Sequence, residues 1–296
     1  MNGVIFLKYV FMTDSSSDLT QKQVDEIGVK VLPMEFQIDD KYYQHYPDCR
    51  MMSLEEFYEA LDNGAMPKTT QINYECFKNF FEPYLKAGKD ILYTGISTGL
   101  SGTYDTCMIA VRELEEKYPN RKIVVIDSRC DSVGLGLLVY MAGKKYKEGA
   151  ALDELEQFIV DTRDSLAHWF VVDDLDMLKR GGRISAVSAT FGKALQIKPL
   201  LSCDENGKLL SVGKIRGKSN VIPTLVKYVK RDAVDSKKNI AFVAHANNPE
   251  AAKELRKEIK GMFKEVQICP IGPVIGSHVG SGMLAVVFKG DRNPKL

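Results

Sequence analysis

The chain has 296 residues, 45% of them hydrophobic, and its 40 basic and 39 acidic residues leave a formal net charge of +1. This length exceeds the usual size of one hydrophobic core, so one large or two medium domains are expected. The balanced charge, without a basic stripe interleaved with aromatic residues, argues against a nucleic-acid partner.

The cysteines and the N-terminal segment bear on the cellular compartment. No Cys-x-x-Cys pair occurs among Cys49, Cys76, Cys107, Cys130, Cys203 and Cys269. This spacing favours reduced thiols in the cytoplasm and offers no zinc site. The apolar run 4–12 is interrupted by Lys8 and lacks a cleavage site, so we expect a buried first strand and no signal peptide. No run reaches the ~18 apolar residues of a membrane span.

The first half of the chain alternates strand-like and helix-like patterns. Strands are predicted over residues 6–12, 29–36, 91–94 and 123–126, and helices over 20–27, 53–61, 74–87 and 104–118. This alternation predicts a three-layer α/β/α domain with a mainly parallel sheet. Because ligands of open parallel sheets bind at the carboxyl ends of the strands, the loops at those ends are candidate sites.

The second half predicts an α/β domain with a mixed sheet. Strands are expected over residues 166–172, 240–244, 266–270 and 284–288, and helices over 151–163, 220–232 and 249–262. Residues 198–203 and 208–215 should pair as a hairpin, because Asn206-Gly207 between them supplies the positive φ angles of a tight turn. The domain boundary is placed near Arg163, although no Pro- or Gly-rich linker marks it.

Three loops in the first half repeat a pattern of hydroxyls and glycines after a strand. The candidate ligand-binding residues in them are Asp14, Ser15, Ser16, Ser97, Thr98, Gly99, Ser101, Asp127 and Ser128. Small residues let the backbone approach a ligand, and the N–H groups of a following helix favour an anion. Helix N-capping explains each loop equally well by itself. Three converging loops favour a shared site for a carboxylate or phosphate.

One of these loops also supports an alternative function. Residues 95–99 read Gly-Ile-Ser-Thr-Gly, which matches the nucleophile elbow of α/β-hydrolases. Ser97 followed by Asp173 or Asp174 and then His278 would supply a catalytic triad in the order of that fold. No His-Gly-Gly oxyanion loop is present, however, and no Gly-Lys-Ser/Thr segment supports a nucleotide-hydrolysing site.

Two segments of the second half carry a further cation and a histidine. Residues 174–185 read as a strand end, a short amphipathic turn, a Gly-Gly break and an Arg-Ile-Ser that opens a new helix. Arg183 in this segment either faces an anion or caps a helix end. His278 is predicted in a loop, where the small residues around it would present its imidazole. The other histidines, His45, His168 and His245, are interpreted as structural.

Taken together, these segments resemble the DegV family of bacterial lipid-binding proteins. The matching segments, in family order, are Thr13-Asp14-Ser15-Ser16, Thr69-Thr70-Gln71-Ile72, Ser97-Thr98-Gly99-Leu100-Ser101-Gly102-Thr103, the Asp127-Ser128 loop with Gly134-Leu135-Gly136, Gly182-Arg183-Ile184, Ile197-Lys198-Pro199, Lys214-Ile215-Arg216 and residues 275–282. They extend over nearly the whole chain. Each motif is weak alone, but their joint order is specific.

The resemblance implies a carrier without catalytic activity of its own. It implies two domains, residues 1–163 and 164–296, with one long-chain fatty acid in the cleft between them. The carboxylate would be held by hydroxyls at Thr69 and Thr98, supported by Thr70, with His278 and Arg183 near the exposed end. A partner kinase with a dihydroxyacetone-kinase-like domain would phosphorylate the bound fatty acid. No cofactor and no metal are expected.

The chain departs from the family pattern at four positions. Thr70 and Thr98 replace serine, which keeps each hydroxyl and adds a methyl group. Ile72 and Ser281 replace proline. These changes remove no hydrogen-bond donor, so they would alter the fit of the head group or the chain preference and leave the predicted chemistry in place.

Overall fold

In the computed structural model, the residues described are 7–173, 175–184 and 197–292. They form three sheets and a set of helices. The strands are β1 (Tyr9–Asp14), β2 (Lys30–Leu32), β3 (Met34–Ile38), β4 (Lys41–His45), β5 (Lys68–Thr70), β6 (Asp90–Gly95), β7 (Ile123–Asp127), β8 (Leu166–Val171), β9 (Ile197–Cys203), β10 (Leu209–Arg216), β11 (Ile240–His245), β12 (Glu265–Pro270) and β13 (Leu284–Lys289).

The helices of the described ranges are α1 (Gln21–Ile27), α2 (Leu54–Asp62), α3 (Tyr74–Lys86), α4 (Thr103–Lys117), α5 (Ser132–Lys147), α6 (Leu152–Arg163), α7 (Asp176–Arg180), α8 (Val221–Asp232), α9 (Pro249–Ile259) and α10 (Pro273–Val279). The seven helices whose bounds were predicted agree with the structure to within a few residues, and α5, α7 and α10 are found in addition. The predicted helix that opens at Ser185 lies outside the described residues. Within the described ranges, no helix combines the length and the apolar character needed to cross a bilayer.

The predicted parallel sheet is confirmed. Its strand order is β2-β1-β6-β7, and every neighbouring pair is parallel. Every residue of β1 is buried, as expected of an inner strand whose two faces are both covered by other elements. The carboxyl ends of β1, β6 and β7 meet at one edge, which brings the loops after Asp14, Gly95 and Asp127 together.

The second half contains the predicted mixed sheet, with strand order β10-β9-β8-β13-β11-β12. Only the β11–β12 pair within it is parallel among the described residues. The predicted hairpin is confirmed: Leu209 pairs with Cys203, and Gly207 in the turn has a φ of +71°.

One predicted strand is wrong. Residues 29–36 were expected to form one strand, but the chain forms β2 in the parallel sheet and β3 in a separate antiparallel sheet of order β4-β3-β5. Pro33 separates them and has no N–H to donate to a ladder, so the chain changes sheet there. This small sheet, which the sequence did not indicate, places Thr69 on β5 opposite Phe36.

The hydrophobic core is continuous between the parallel and mixed sheets. One cluster of buried side chains includes Phe11 on β1 and Phe242 on β11. Tyr140 of α5 packs against Phe242 with ring centroids 5.5 Å apart. The mixed sheet starts at Leu166, three residues after α6 ends at Arg163. The division into domains at residue 163 stays a prediction.

Candidate functional site

A cavity of about 60 Å³ lies between α10, β5, the start of α5 and the turn after α7. Most of its lining is apolar: Met34, Ile96, Leu100, Phe170, Leu178, Leu209, Val274, Ile275, Val279 and Met283. The polar lining consists of Thr69, Thr70, Gln71, Ser101, Asp131, Ser132, Arg183 and His278. A cavity with this lining suits a ligand that has one polar end and an apolar body.

Thr69 and His278 form a hydrogen-bonded pair in the cavity wall, with Thr69 Oγ1 2.8 Å from His278 Nε2. The loop predicted for His278 is wrong, because this residue lies in α10, a short helix that begins at Pro273. Pro at the first helical turn has the φ that a helix requires and lacks only an N–H that would be unpaired there. Desolvation, followed by the neighbouring Arg183, lowers the pKa of His278 to about 4, so the imidazole is neutral at pH 7.

Arg183 presents a half-buried cation to the same cavity. Its Nε donates to the carbonyl of Leu100 at 3.1 Å, and its Nη1 donates to the carbonyl of Gly181. Among the described residues, no carboxylate lies within 4.0 Å of this guanidinium. A half-buried cation that contacts only neutral acceptors leaves the cavity with a positive end, which favours an anionic ligand.

The turn that carries Arg183 fits closely against His278. A Cβ on Gly181 would lie 2.5 Å from His278 Nδ1, so only glycine allows this approach. Nδ1 is buried and has no hydrogen-bond partner in the described part of the chain. The Gly-Gly break therefore brings the backbone over the imidazole and places Arg183 beside it.

The structure does not bring Thr98, Ser97 or Gly99 to the cavity. Thr98 is exposed, and its Oγ1 and N–H donate to the two carboxylate oxygens of Asp127 at 2.7 and 3.2 Å. A Cβ on Gly99 would collide with the backbone of Asn206 and Gly207. The turn of the β9–β10 hairpin therefore covers this part of the loop. Of the four candidate residues of the loop after β6, Ser101 is the one that lines the cavity.

The Asp14 carboxylate and its neighbouring serines Ser15 and Ser16 are likewise engaged in internal hydrogen bonds, whereas the hydroxyls of Thr13 and Ser17 are buried without a partner among the described residues. The Asp14 carboxylate accepts from the N–H and hydroxyl of Ser16, from Tyr93 Oη at 2.8 Å and from the N–H of Ile96 at 3.2 Å. The hydroxyl of Ser15 accepts from the N–H of Met34 at 2.9 Å. Ser128 similarly bonds to the backbone of Cys130. These carboxylate and hydroxyl side chains stabilise the loops in which they lie, and none of them lines the cavity.

The arrangement of a serine hydrolase is absent from the described residues. The Ser97 hydroxyl accepts from the N–H of Gly99 at 3.0 Å and has no hydrogen bond to a histidine there. His278 is bonded to Thr69, and Asp173 forms an ion pair with Lys198 at 2.8 Å. Asp174, the other predicted acid, lies outside the described residues.

Sequence reasoning missed three polar residues of the cavity, namely Gln71, Asp131 and Ser132. The Asp127–Ser128 loop was singled out for its hydroxyl, but Ser132, at the start of α5, is the residue whose side chain reaches the cavity. Asp131 lies 2.6 Å from His168 Nδ1. Burial acts to raise the pKa of Asp131, but His168 and Arg292 together outweigh this effect and lower it below its usual value.

Asp131 and His168 also adjoin the Cys203 thiol, and these three groups could together hold a metal ion. The neighbouring Arg292 is buried, and its Nη2 donates to Cys203 Sγ at 3.4 Å. Burial raises the pKa of Cys203 well above its usual value, which disfavours the thiolate that a metal requires. The guanidinium thus supplies the positive charge that this cluster needs.

The fold is that of an α/β protein with one parallel and one mixed sheet. Its cavity is mainly apolar and has a cation, Arg183, at one end. The DegV family model matches residues 8–291, and the chain belongs to the DegV family. A DegV domain-containing protein of Clostridium perfringens is 39% identical over 286 residues, which are 96% of this chain and 98% of the relative. A second, from Lactococcus lactis, is 32% identical, with 95% and 97% covered.

Solved structures of the family superpose closely. A DegV family protein from Thermus thermophilus, described as fatty-acid binding, matches with a TM-score of 0.86 at 28% identity, covering 96% of this chain and 100% of that one. A fatty-acid-binding DegV family protein from Streptococcus agalactiae matches with a TM-score of 0.83 at 27% identity, covering 97% and 100%. The fold expected from the resemblance is confirmed.

Proposed function

We propose that this protein binds one long-chain fatty acid in the cavity and presents its carboxylate to a partner kinase, without catalysing a reaction itself. The observation that carries the proposal is the guanidinium of Arg183, which faces an otherwise mainly apolar cavity and has no carboxylate partner among the described residues. A fatty acid combines the missing anion with a tail that matches the apolar lining.

The carboxylate would be bound by the groups that line the cationic end of the cavity. Arg183 and Thr69 are kept from the set first expected, and Ser101 takes the place of Thr98 in it. A carboxylate can only accept hydrogen bonds, so the Thr69 hydroxyl must donate to it. The oxygen of Thr69 then accepts from His278 Nε2–H, which fixes the tautomer of the neutral imidazole. This pair would direct one donor at the ligand.

The acyl chain would supply most of the binding free energy. Each buried CH₂ contributes about 0.8 kcal/mol, so a long chain needs few polar contacts. A cavity of about 60 Å³ is too small for a whole long chain. Binding therefore requires lining side chains to move apart, and the unbranched Met34 and Met283 are suited to this because they adapt their shape readily.

The solved relatives support the fatty-acid half of the proposal. The Thermus and Streptococcus relatives are described as fatty-acid binding, and their identity to this chain exceeds a quarter. The kinase partner rests on the family resemblance alone. In this role Arg183 and His278 would also serve the transfer step, because both lie at the polar end where a phosphoryl group would arrive.

A copurification experiment tests the ligand. Native mass spectrometry and lipid extraction of the purified protein should find about one equivalent of a long-chain fatty acid. A protein that carries no acyl lipid and binds neither added oleate nor palmitate would refute the proposal. A fluorophosphonate probe should leave the native protein unlabelled, and labelling that Ser97→Ala abolishes would instead establish the hydrolase.

Substitution of Arg183 tests the head-group contact. Arg183→Gln should weaken oleate binding by about ten- to a hundredfold, the effect of losing a hydrogen bond to a charged group. The same variant should bind oleyl alcohol as the wild type does, because the alcohol has no charge to lose. Arg180→Gln is the matched control, since Arg180 is an exposed cation at the end of the neighbouring helix α7. An equal loss of oleate affinity in both variants would show that Arg183 has no specific part in binding the head group.

The kinase half of the proposal needs a separate assay. With the cognate kinase and ATP, the wild-type protein should support phosphorylation of its bound fatty acid. His278→Ala should retain most of its lipid and lose this transfer. If a folded, lipid-loaded Arg183→Ala, His278→Ala double variant is phosphorylated at the wild-type rate, neither residue acts in transfer.

A further inference from the structure

Asp18 joins two elements that line the cavity, although it does not line the cavity itself. Its Oδ1 accepts from the N–H of Gly272 at 2.9 Å, and its Oδ2 lies 2.6 Å from the hydroxyl oxygen of Ser132. Gly272 is the N-cap residue of α10, which carries His278, and Ser132 is the first residue of α5. One buried carboxyl group therefore connects the beginnings of both helices.

The backbone around this contact is strained. Asp18 has a φ of +50° and Ser132 a φ of +39°, in the left-handed region that residues with a side chain rarely occupy. A Cβ on Gly272 would lie 3.0 Å from Asp18 Oδ1 and 2.1 Å from the ring of His45. Conformations of this kind persist where the surrounding structure enforces them, and they are concentrated at functional sites.

We propose that Asp18 is a positioning residue for lipid binding, which holds the start of α10 against the start of α5 and sets the direction of the Ser132 hydroxyl. The inference rests on the proposed function, because it concerns the same cavity. Of the two groups that Asp18 holds, Ser132 lines the cavity directly, and Gly272 fixes the helix from which His278 contacts Thr69.

The two protonation states of Asp18 present different faces of Ser132 to the ligand. An ionised Asp18 accepts from both partners, so the Ser132 proton points away from the cavity. A protonated Asp18 donates to Ser132 Oγ and still accepts from Gly272, and the Ser132 proton is then free to turn towards the cavity. A carboxylate ligand needs donors, so the protonated form favours binding.

The environment of Asp18 makes this change accessible near neutral pH. Burial, followed by smaller effects of Asp131 and Asp14, raises its pKa to about 8, although the hydrogen bonds from Ser132 and Gly272 oppose the rise. Because the folded pKa lies above the unfolded value, the contribution of Asp18 to stability is complete below about pH 4 and is lost as pH rises through about 8. The lipid-competent form should be depleted over the upper part of the same range.

The other titratable groups around Asp18 belong to β1, β4, α2, β12 and the loops beside them. They are Asp14, His45, Cys49, Tyr58, Asp131 and Cys269. Burial lowers the pKa of His45 to about 4 and raises that of Cys269 to about 12. Neither of these groups titrates between pH 6.5 and 9.5. Cys49→Ser serves as the control for the nearest thiol that is only partly buried.

The test is the affinity for oleate as a function of pH in Asp18→Asn and in the wild type. Asparagine can accept from Gly272 and donate to Ser132, so it reproduces the protonated link and cannot ionise. Wild-type affinity should fall about tenfold between pH 6.5 and 9.5, the effect of one hydrogen bond to a charged group, and Asp18→Asn should remain constant. Asp161→Asn, an exposed acid on α6, should behave like the wild type.

The outcomes separate this inference from the proposed function. Identical pH profiles of the wild type and Asp18→Asn, both binding oleate, would overturn the role of Asp18 and leave the lipid site intact. If neither protein binds oleate at any pH, the proposed function itself fails. Ser132→Ala is a second variant in case Asp18→Asn fails to fold, because it removes the bond to Ser132 and keeps the bond between Asp18 and Gly272. It should retain binding at pH 6.5 within about tenfold and lose the pH dependence, and a retained wild-type pH dependence would contradict the proposed role of Ser132.

Discussion

Two polar regions of the molecule look alike in sequence and differ in their hydrogen bonding. The loops after β1 and β6 consist of hydroxyls, glycines and acids. The Asp14 carboxylate and the Thr98 hydroxyl are engaged in internal hydrogen bonds, while the hydroxyls of Thr13 and Ser17 are buried without a partner among the described residues. The wall formed by β5, α10 and the Gly-Gly turn has fewer hydroxyls. It holds His278 Nδ1, which is buried without a partner among the described residues, and the cation of Arg183.

This difference shows what marks a binding site here. Hydroxyls that follow a strand can satisfy the backbone of their own loop as readily as they can bind a ligand. A charged group is normally paired with an opposite charge when it is withdrawn from water, so Arg183, which has no acidic partner among the described residues, is the more informative feature. The loops whose acids are bonded internally should therefore control stability, and the wall that holds Arg183 should control binding.

The largest expected effect is on stability, from Asp14→Ala. Four hydrogen bonds end on this buried carboxyl, and its removal leaves the N–H of Ile96 and the hydroxyl of Tyr93 without their acceptor. Each unsatisfied buried group costs about 1–3 kcal/mol, so the free energy of unfolding in urea should fall by about 2–6 kcal/mol. Oleate affinity of the remaining folded protein should stay within about threefold of wild type. A stable variant that cannot bind lipid would reverse the assignment of the two regions.

Acidification should distinguish the wall from the rest of the protein through two histidines, His278 in the wall and His45 on β4. Burial lowers the pKa of His45 to about 4, and desolvation, with Arg183, does the same to His278. Both folded pKa values lie below the unfolded value of about 6.5, so each histidine's contribution to stability is present above pH 6.5 and is lost as pH falls towards 4. The loss should be about 2–4 kcal/mol per histidine.

The measurement compares urea unfolding at pH 6.5 and 4.5 in the wild type, His45→Gln and His278→Gln. Each variant should lose less stability on acidification than the wild type does. Bound oleate should reduce the His278 contribution, because a nearby carboxylate favours the charged imidazole, and it should leave the His45 contribution unchanged. An equal effect of oleate on both histidines would place the head group away from His278.

The sequence predicted most of the fold because its elements carry strong local signals. Buried strands such as β1 and capped helices such as α1, whose N-cap Thr20 accepts from Gln23, are encoded within short segments. The small sheet of β3, β4 and β5 was missed, since a proline splits what reads as one apolar run and β5 has three residues. Strands that short have no pattern of their own.

The candidate site was predicted in part for a related reason. Of the predicted binding residues, Thr69, Thr70, Ser101, Arg183 and His278 line the cavity, and their part in binding stays a prediction. Whether a hydroxyl faces the cavity or an internal acid depends on contacts distant in sequence: Thr98 bonds to Asp127, 29 residues away, and Asp18 bonds to Gly272, 254 residues away. No local pattern contains that information, so only the folded structure placed Ser132 in the cavity wall and Thr98 outside it.

The two threonines give a direct comparison between the regions. Thr69→Val removes the hydroxyl that is bonded to His278 and faces the cavity, and it should weaken oleate binding about tenfold. Thr98→Val makes the same chemical change in the loop after β6. It should leave the affinity for oleate within about twofold, because the Thr98 hydroxyl is hydrogen-bonded to Asp127. Isothermal titration with oleate and with its methyl ester measures both. A tenfold loss in Thr98→Val alone would restore the arrangement first expected from the sequence.

The smallest expected effects come from adjacent glycines of the turn after α7. Gly181 has a φ of −70°, which any residue adopts, but an added Cβ would lie 2.5 Å from His278 Nδ1. Gly182 has a φ of +71° and no atom within 4 Å of an added Cβ. Gly181→Ala should therefore displace the imidazole, weaken oleate binding several-fold, up to about tenfold, and lower the free energy of unfolding by about 1–3 kcal/mol through overpacking. Gly182→Ala should lower the free energy of unfolding by about 1 kcal/mol through backbone strain, with affinity unchanged. The chemical change is the same at two neighbouring positions, so a loss of affinity in Gly181→Ala alone would reflect the contact of its Cβ with His278. If both variants lost stability and neither lost affinity, contact between the turn and His278 would have no part in binding.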